Sequence, residues 1–304
     1  MSALRLNGGF TTRFAPAPTG FLHLGHAVNA VWVWGAARAF GGRVVLRIED
    51  HDRGRCRPEY ERALLDDLDW LGLVPDVGAT EEFRRGPHAH RQSDQSARYE
   101  ARLAQLASKG LVYPCTCSRA DIARQGSVDE TEGAELRYPG TCRDAARDPR
   151  STAARRIRSE AGRTERFHDL RLGEQVQDPD AQCGDLLARD RNGHWTYQFA
   201  VTVDDLEQGI DVVIRGEDLL ASTGRQLRLA RMLGRTAMPR FLHHPLVLHP
   251  DGRKLSKSAG DTGIRELRKA GRTPAEVLGL AARATGLQAD RDPIDADSLA
   301  RLFR

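Results

Sequence analysis

Lysine, long apolar runs and the common phosphate-binding loops are scarce or missing in this sequence. Only four of its 46 basic side chains are lysines, and two of those lie in one short stretch. No apolar run approaches the ~18–20 residues of a membrane span, which argues against a membrane protein. The N-terminal residues have no continuous apolar segment, so we expect no secretory signal. Neither GxGxxG nor GxxxxGK[ST] occurs, so phosphate binding must be sought in other segments.

Charge and cysteine content narrow the class of protein further. The 304 residues are 40% hydrophobic, enough for a sizeable core, and 46 basic against 42 acidic side chains leave a net charge of +4. This mildly basic balance permits a nucleic-acid partner without requiring one. Five cysteines, an odd number without a signal segment, favour a reducing, cytoplasmic location over a disulfide framework. We expect Cys56 and Cys183 to be unpaired thiols.

The first part of the chain alternates strand and helix patterns. The sequence predicts strands over residues 11–15 and 43–49 and helices over residues 27–40 and 58–71. This order is typical of a parallel sheet in an α/β domain.

The same layer is expected to resume near the end of the chain. The sequence predicts strands over residues 197–203, 210–215 and 241–248 and a helix over residues 222–233. A later Thr-Pro pair at Thr273 and a glycine at 286 predict the two ends of a further short helix.

Between these parts, from residue 113 to 196, Gly, Asp, Arg and Pro interrupt every apolar run. The simpler interpretation is a solvated, loop-rich insertion. The alternative is an insertion that faces nucleic acid, with the arginine-rich stretch 150–172 as its surface, including Arg155, Arg156 and Arg158.

Two segments could bind phosphate. In the first, residues 14–26 connect the first strand to the first helix, where open α/β sheets bind ligands and where a helix N-terminus favours anions. His23 and His26 would face the same way at this spacing, and Gly25 would let a ligand approach the backbone. A metal site or simple packing are the alternatives for the two histidines.

The second segment follows the turn at residues 251–252 and places Lys254 and Lys257 among two serines. Two ammonium groups and two hydroxyls suit the charge that develops on a transferring phosphate group. Taken alone, a solvated surface loop is the more frequent explanation of such a segment.

Three thiols form a candidate metal site. Cys115 and Cys117 are separated by one residue, and Cys142 follows. Thiolates in a reducing compartment favour zinc, but no histidine lies between His90 and His168 to provide a fourth ligand. Three unrelated buried thiols are the alternative.

Together, the HLGH and KLSKS segments resemble the two signatures of the class I aminoacyl-tRNA synthetases. The run from Arg13 to His26, RFAPAPTGFLHLGH, is similar to the glutamate-specific branch of that family. So are the segments LRIEDHD from Leu46, YQFAVTVDDLEQGI from Tyr197, and VIRGEDL from Val213. The matching segments extend over residues 13–258 in the family's order.

The resemblance implies an α/β fold, with a Rossmann-type catalytic domain and a pocket for L-glutamate. In that pocket Arg13 and Arg215 would bind carboxylates, Glu49 the ammonium group, and Tyr197 would add a hydroxyl. Ala17 stands where the family usually has serine, so one side-chain hydroxyl is lost. The resemblance also assigns Phe14, Ala15 and Pro16 to the binding of the amino acid.

The resemblance also implies the chemistry. Glutamate would attack the α-phosphate of ATP and give glutamyl adenylate and pyrophosphate. His23, Gly25 and His26 would hold the nucleotide, and Lys257 with Lys254 would neutralise the leaving pyrophosphate. Mg²⁺ would accompany ATP with few protein ligands.

A shortened branch of the family carries the same C-x-C pattern followed by Tyr-x₃-Cys. The resemblance therefore implies a structural zinc ion held by Cys115, Cys117, Cys142 and the oxygen of Tyr138. That branch activates glutamate without tRNA and esterifies it onto queuosine, at the wobble position in the anticodon stem-loop of tRNA(Asp).

The expected organisation has four parts. Residues 1–112 and 197–260 would form the two halves of the catalytic domain, 113–196 an inserted α+β subdomain with the zinc site, and 261–304 a short helical segment without an anticodon-binding domain. A monomer is the expected state. The alternatives are a truncated synthetase that charges a tRNA 3′ end, and a non-catalytic tRNA-binding or amino-acid-sensing module.

Overall fold

The computed structural model describes residue 6 and residues 8–125, 136–145, 153–247 and 263–304. The strands of this part are β1 (Thr11–Phe14), β2 (Arg43–Leu46), β3 (Val112–Cys115), β4 (Ala154–Ile157), β5 (Glu165–Asp169), β6 (Gly173–Gln177), β7 (Leu186–Arg189), β8 (Val212–Gly216) and β9 (Arg240–His244). Its helices are α1 (Leu24–Phe40), α2 (Pro58–Leu71), α3 (Thr80–Arg84), α4 (Ser96–Ser108), α5 (Arg119–Gln125), α6 (Pro179–Cys183), α7 (Tyr197–Glu207), α8 (Thr223–Met232), α9 (Ile264–Lys269) and α10 (Pro274–Ala284). Short 3₁₀ helices cover Gln92–Gln95, Glu217–Ser222 and Ala296–Phe303.

Parallel strands from both ends of the chain meet in the centre of the molecule. β1 pairs with β2, and β9 pairs with both β8 and β5, all in parallel. β6 pairs antiparallel with β5 at the edge. β1 and β8 lie next to each other, because Thr11 O accepts a hydrogen bond of 2.9 Å from the N–H of Asp211. The α/β prediction is thereby confirmed, and at the junction of β1 and β8 the strands of the first part of the chain meet those of its later part.

Helix α1 lies beneath this junction and is buried along almost its whole length. Its residues 27–37 are nearly all apolar, so the helix is covered on more than one face. The 3₁₀ helix at the C-terminus packs on it, with the Phe303 ring 5.4 Å from that of Trp32 and at 81° to it. The indole N–H of Trp32 donates to Thr285 Oγ1 at 3.0 Å. The residues of this 3₁₀ helix therefore complete the hydrophobic core around α1.

Helix ends match the predictions where a capping signal is present. α2 spans the predicted residues 58–71, with Pro58 in its first turn and Gly72 in the left-handed conformation after its last residue. α10 begins after Thr273, whose hydroxyl accepts from the N–H of Glu276 while Glu276 bonds back to the N–H of Thr273. Gly286 has a φ of 72°, which stops the helix as predicted.

Residues 197–203 form part of α7, so the prediction of a strand there is wrong. Phenylalanine, valine and threonine in this run favour a strand locally. The run from Phe199 to Asp205 is buried throughout, however, and Phe199, Ala200 and Val203 share a core with Tyr99 of α4. Packing against a neighbouring helix therefore overrides the local preference.

The region 113–196 contributes to two sheets. β3, β4 and β7 form a separate antiparallel sheet with a small core of its own. β5 and β6, which also lie in this range, instead extend the central parallel layer. The four domain boundaries remain predictions.

Among the residues that the structure describes, no helix combines the length and apolar character needed to span a membrane.

Candidate active site

A cavity of about 350 Å³ opens where β1 and β8 lie side by side. Ligands bind at such switch points because the carboxyl ends of the parallel strands leave a crevice there. Every residue predicted to hold the amino acid lines this one cavity: Arg13, Phe14, Ala15, Pro16, Ala17, Glu49, Tyr197 and Arg215.

The two histidines predicted to bind phosphate lie at the N-terminus of α1, and His26 lines the cavity. His23 is the N-cap of α1, and its Nδ1 accepts from the N–H of Gly25 at 3.1 Å. The Nδ1 of His26 accepts from the N–H of His23 at 3.1 Å, and the ring centroids are 4.1 Å apart. Since both Nδ1 atoms accept, each neutral ring carries its proton on Nε2. Both histidines can therefore donate hydrogen bonds to an anion at the helix N-terminus.

Gly25 is required by this arrangement. A Cβ atom at this position would lie 2.9 Å from Cε1 of His23, closer than side chains allow. The glycine therefore lets the His23 ring fold back over the helix N-terminus. Lys254 and Lys257 lie outside the described residues.

Arginine and acidic side chains form a buried network on one wall of the cavity. Asp205 Oδ1 accepts from Arg13 Nε at 3.2 Å and from Arg47 Nη1 at 2.7 Å. Arg47 also donates to Glu49 Oε1 from Nη2 at 2.8 Å. Burial opposes the ionisation of Asp205, but the charges of Arg13 and Arg47 outweigh it and lower the pKa of this carboxyl. One Glu49 oxygen is thus committed to Arg47, and the other is left for a ligand.

Arg215 is buried among neutral partners. Its guanidinium donates to His243 Nε2 at 3.0 Å, to Gln226 Oε1 at 2.7 Å and to Thr223 Oγ1 at 2.8 Å. Its exposed fraction is 3%, and among the described residues it forms no ion pair with a carboxylate. A buried charge without a counter-charge is costly, and burial lowers the pKa of Arg215. The position is therefore suited to an anionic ligand.

Asp169 orients the ring of His243 for this contact. The Asp169 carboxylate lies 2.7 Å from His243 Nδ1, which therefore carries the proton and leaves Nε2 to accept from Arg215. Burial lowers the pKa of His243, so the ring stays neutral.

Tyr197 occupies the first turn of α7 and lines the cavity. Burial, followed by the nearby charge of Glu49, raises the pKa of its phenol. The hydroxyl therefore keeps its proton and can donate a hydrogen bond to a ligand.

The residues that hold the predicted ones in place were not predicted from the sequence. Arg47 and Asp205 lie inside the segments that carry the family resemblance, so they could have been found there. His243 and Asp169 have no such signal, because their contact joins residues 74 positions apart in the chain.

The three clustered cysteines come together with Tyr138, as predicted. The described residues place one sulfur from each of Cys115, Cys117 and Cys142 within 4.8 Å of one another. The hydroxyl of Tyr138 lies 3.4 Å from the sulfur of Cys115 and 3.9 Å from that of Cys117. The sulfurs of Cys117 and Cys142 are 3.6 Å apart. Cys56 and Cys183 are unpaired, as predicted.

These separations fit a tetrahedral metal ion. Zinc bonds of about 2.3 Å to sulfur and about 2.0 Å to oxygen require S···S separations near ~3.8 Å and S···O separations near ~3.5 Å. Burial raises the pKa of Cys117 to about 11, whereas at Cys142 hydrogen bonds, led by that from the Thr116 backbone, outweigh burial and lower the pKa to about 6. At neutral pH at least one thiolate is therefore available to a metal.

Arg156 does not belong to an open basic surface. It is buried, its guanidinium carbon lies 3.8 Å from the centre of the Tyr138 ring, and it donates to the carbonyl of Asp185. The hypothesis of a nucleic-acid surface over residues 150–172 is therefore wrong for Arg156. Residues 150–152 lie outside the described residues.

Comparison with known proteins connects this geometry to a family. The family model for tRNA synthetases class I (E and Q), catalytic domain, matches residues 10–303. A relative named glutamyl-Q tRNA(Asp) synthetase, from Symbiobacterium thermophilum, is 41% identical and covers 96% of this chain and 91% of its own length. A relative of the same name from Leptothrix cholodnii is also 41% identical and covers 96% and 94%.

The fold also matches a solved structure. A glutamate tRNA ligase from Elizabethkingia meningosepticum, crystallised in complex with its amino acid, superimposes with a TM-score of 0.78 at 26% identity. The match covers 96% of this chain and 64% of that protein. The fold is thus that of a class I synthetase catalytic domain.

The buried network makes a prediction about stability. Replacing Asp205 by Asn removes the shared counter-charge of two buried guanidinium groups, so we expect the free energy of unfolding at pH 7 to fall by about 3–5 kcal/mol. Urea denaturation measures this. The matched control is Glu207→Gln on the same helix, where the exposed pair with Arg102 should contribute at most about 1 kcal/mol.

The sign of the pH dependence follows from the lowered pKa of Asp205. Its ionised form stabilises the wild type above the unfolded value of about 4, and this contribution is lost as the pH falls through the folded value. The difference between wild type and Asp205→Asn should therefore shrink only below about pH 4. Equal stabilities at pH 7 would contradict the network.

Proposed function

The chain belongs to the class I tRNA synthetases (E and Q) family, and we propose that it activates L-glutamate with ATP and transfers it to queuosine in tRNA(Asp). The observation that carries this proposal is the lining of a single cavity by the predicted carboxylate-binding and ammonium-binding side chains together with His26, one of the predicted phosphate-binding residues. The two relatives named glutamyl-Q tRNA(Asp) synthetase, each matched over more than nine-tenths of its length, support the acceptor.

The charges of the cavity suit glutamate. Two buried guanidinium groups, from Arg13 and Arg47, contact the carboxylates of Glu49 and Asp205, and a third, from Arg215, contacts only neutral groups. Among these five groups one positive charge remains, and glutamate carries a net charge of −1 at neutral pH. Forked guanidinium groups can each bind a carboxylate through two hydrogen bonds, and the second oxygen of Glu49 can accept from the ammonium group.

The nucleotide would lie beside the helix N-terminus. The Nε2–H groups of His23 and His26 would donate to the phosphates of ATP, which brings its own Mg²⁺. Attack by a glutamate carboxylate oxygen on the α-phosphorus forms the mixed anhydride and releases pyrophosphate. Lys254 and Lys257 would neutralise that leaving group, and Gly25 would keep the backbone accessible. No covalent intermediate with the protein is needed, because positioning and charge supply the catalysis.

The acceptor would be a hydroxyl of queuosine, at the wobble position of the anticodon stem-loop. The reaction would take place in the cytoplasm with one chain acting as a monomer. Residues 113–196, apart from the strands that join the central layer, would form an inserted subdomain, with residues 197–260 completing the catalytic domain.

We further propose that Cys115, Cys117, Cys142 and Tyr138 hold one zinc ion. The separations between their ligand atoms and the lowered pKa of Cys142 support this. Bound zinc would supply a crosslink between β3 and the segment at 136–145, in a subdomain whose own core is small.

Labelled glutamate tests the acceptor. We expect ATP-dependent label on tRNA(Asp) that contains queuosine and lacks its 3′-terminal adenosine, because the wobble base is then the only acceptor. The matched control is the same truncated tRNA without queuosine, which should take up no label. Label only on tRNA(Glu) with an intact 3′ end would favour the truncated charging synthetase. No glutamate-dependent exchange between ATP and pyrophosphate would favour a non-catalytic module.

Elemental analysis tests the zinc site. We expect one zinc per chain in the purified protein, loss of the metal in Cys142→Ser, and weaker retention in Tyr138→Phe during dialysis against a chelator. Cys56→Ser is the control and should retain the metal, since Cys56 lies outside the cluster. Equal zinc content in Cys142→Ser and wild type would contradict the assignment.

A further inference from the structure

A chain of hydrogen bonds leads from a buried carboxylate to the wall of the cavity. Asp204, 1% exposed, accepts at Oδ2 from Gln92 Nε2 and from the hydroxyl of Tyr99, both at 2.8 Å. Its Oδ1 lies 3.3 Å from a guanidinium nitrogen of Arg98. Gln92 Oε1 in turn lies 2.7 Å from Nδ1 of His51, which lines the cavity.

This chain fixes the tautomer of His51. Burial raises the pKa of Asp204 despite the charge of Arg47 and the hydrogen bonds from Gln92 and Tyr99. Three donors, one of them a guanidinium, nevertheless point at its two oxygens, so both oxygens act as acceptors. The amide nitrogen of Gln92 must therefore face Asp204, and its oxygen must face His51. An amide oxygen only accepts, so Nδ1 of His51 carries the proton. The other ring nitrogen, Nε2, is then an unprotonated base.

The remaining titratable groups of the cavity are poorly suited to accept a proton. Glu49 is held by the guanidinium of Arg47, and His26 carries its proton on Nε2. Asp52 lies 2.6 Å from Arg55, and this contact outweighs burial and lowers the pKa of Asp52. The raised pKa of Tyr197 keeps its hydroxyl protonated. Among the described residues that line the cavity, His51 is the best-placed base.

We propose that His51 is the general base of the transfer step, held in the required tautomer by Gln92 and Asp204. This inference rests on the proposed function, because it needs an acceptor hydroxyl. The hydroxyl oxygen attacks the carbonyl carbon of glutamyl adenylate, and the new ester bond forms as the bond from that carbon to the phosphate oxygen breaks. AMP leaves as a phosphate monoester. The hydroxyl proton moves to Nε2 of His51 and then to solvent, so the step needs no further reactant.

The test separates activation from transfer in the full-length protein. His51→Asn keeps a donor for Gln92 Oε1 but cannot accept the proton. Activation is measured as glutamate-dependent exchange between ATP and pyrophosphate, and transfer as the single-turnover rate from preformed adenylate to queuosine-containing tRNA(Asp). We expect transfer to fall by about 100-fold or more relative to exchange. Gln92→Leu, which frees the tautomer, should lower the same ratio less. His168→Asn, an exposed histidine paired with Glu174, is the control and should leave both rates unchanged.

Each outcome decides the proposal. Equal losses of exchange and transfer in His51→Asn would assign the residue a structural role and would overturn the proposal. An unchanged transfer rate would also overturn the proposal. If the wild type exchanges but does not transfer to queuosine, the proposed acceptor fails, and the same ratio is measured with tRNA(Glu). A fall of the ratio there would retain His51 as the base for a different hydroxyl. No transfer to either RNA would overturn both proposals.

Discussion

An excess of buried positive charge at the junction of β1 and β8 is the constraint on which the site depends. Arg13 and Arg47 share Asp205, whereas Arg215 has only neutral partners among the described residues. Keeping a guanidinium buried without a counter-charge costs stability, and the fold meets this cost with the hydrogen bonds from Arg215 to His243, Gln226 and Thr223. An anionic amino acid would complete the network, so binding and stability are connected through the same charges.

The surrounding structure presents these charges at one end of the parallel strands. α1 begins at the same edge, and its capping histidines add two N–H donors beside the pocket. α7 provides Asp204 and Asp205 as neighbours that point to different networks, one to His51 and one to the arginines. In the proposed reaction, adjacent walls of one cavity would bind the amino acid, bind the phosphates and accept the proton of the acceptor hydroxyl. The thiol cluster lies in a separate small core, in keeping with a structural role.

Helix ends could be predicted where the sequence carries a local capping signal. The proline and glycine that bound α2 and the capping box at Thr273 determine helix ends through nearby backbone contacts. The strand predicted over residues 197–203 failed because its partner, α4, lies about a hundred residues earlier in the chain. All eight residues predicted to bind glutamate line one cavity. They could be predicted because the family resemblance carries information about distant contacts that composition and spacing do not. Contacts outside the resemblance, such as that between His243 and Asp169, could not be predicted, since nothing local marks them.

Calorimetric binding of L-glutamate to wild type and to Arg215→Gln tests the central claim most directly. If the unbalanced guanidinium binds a substrate carboxylate, the variant should lose about 30-fold or more in affinity. Its free energy of unfolding should fall by less than about 3 kcal/mol, because the loss of the hydrogen bonds to His243, Gln226 and Thr223 is offset by removal of a buried charge that contacts no carboxylate. Unchanged affinity, or a loss of several kcal/mol in the free energy of unfolding (about 3–5 kcal/mol for a broken buried pair), would show that the charge of Arg215 serves the fold instead.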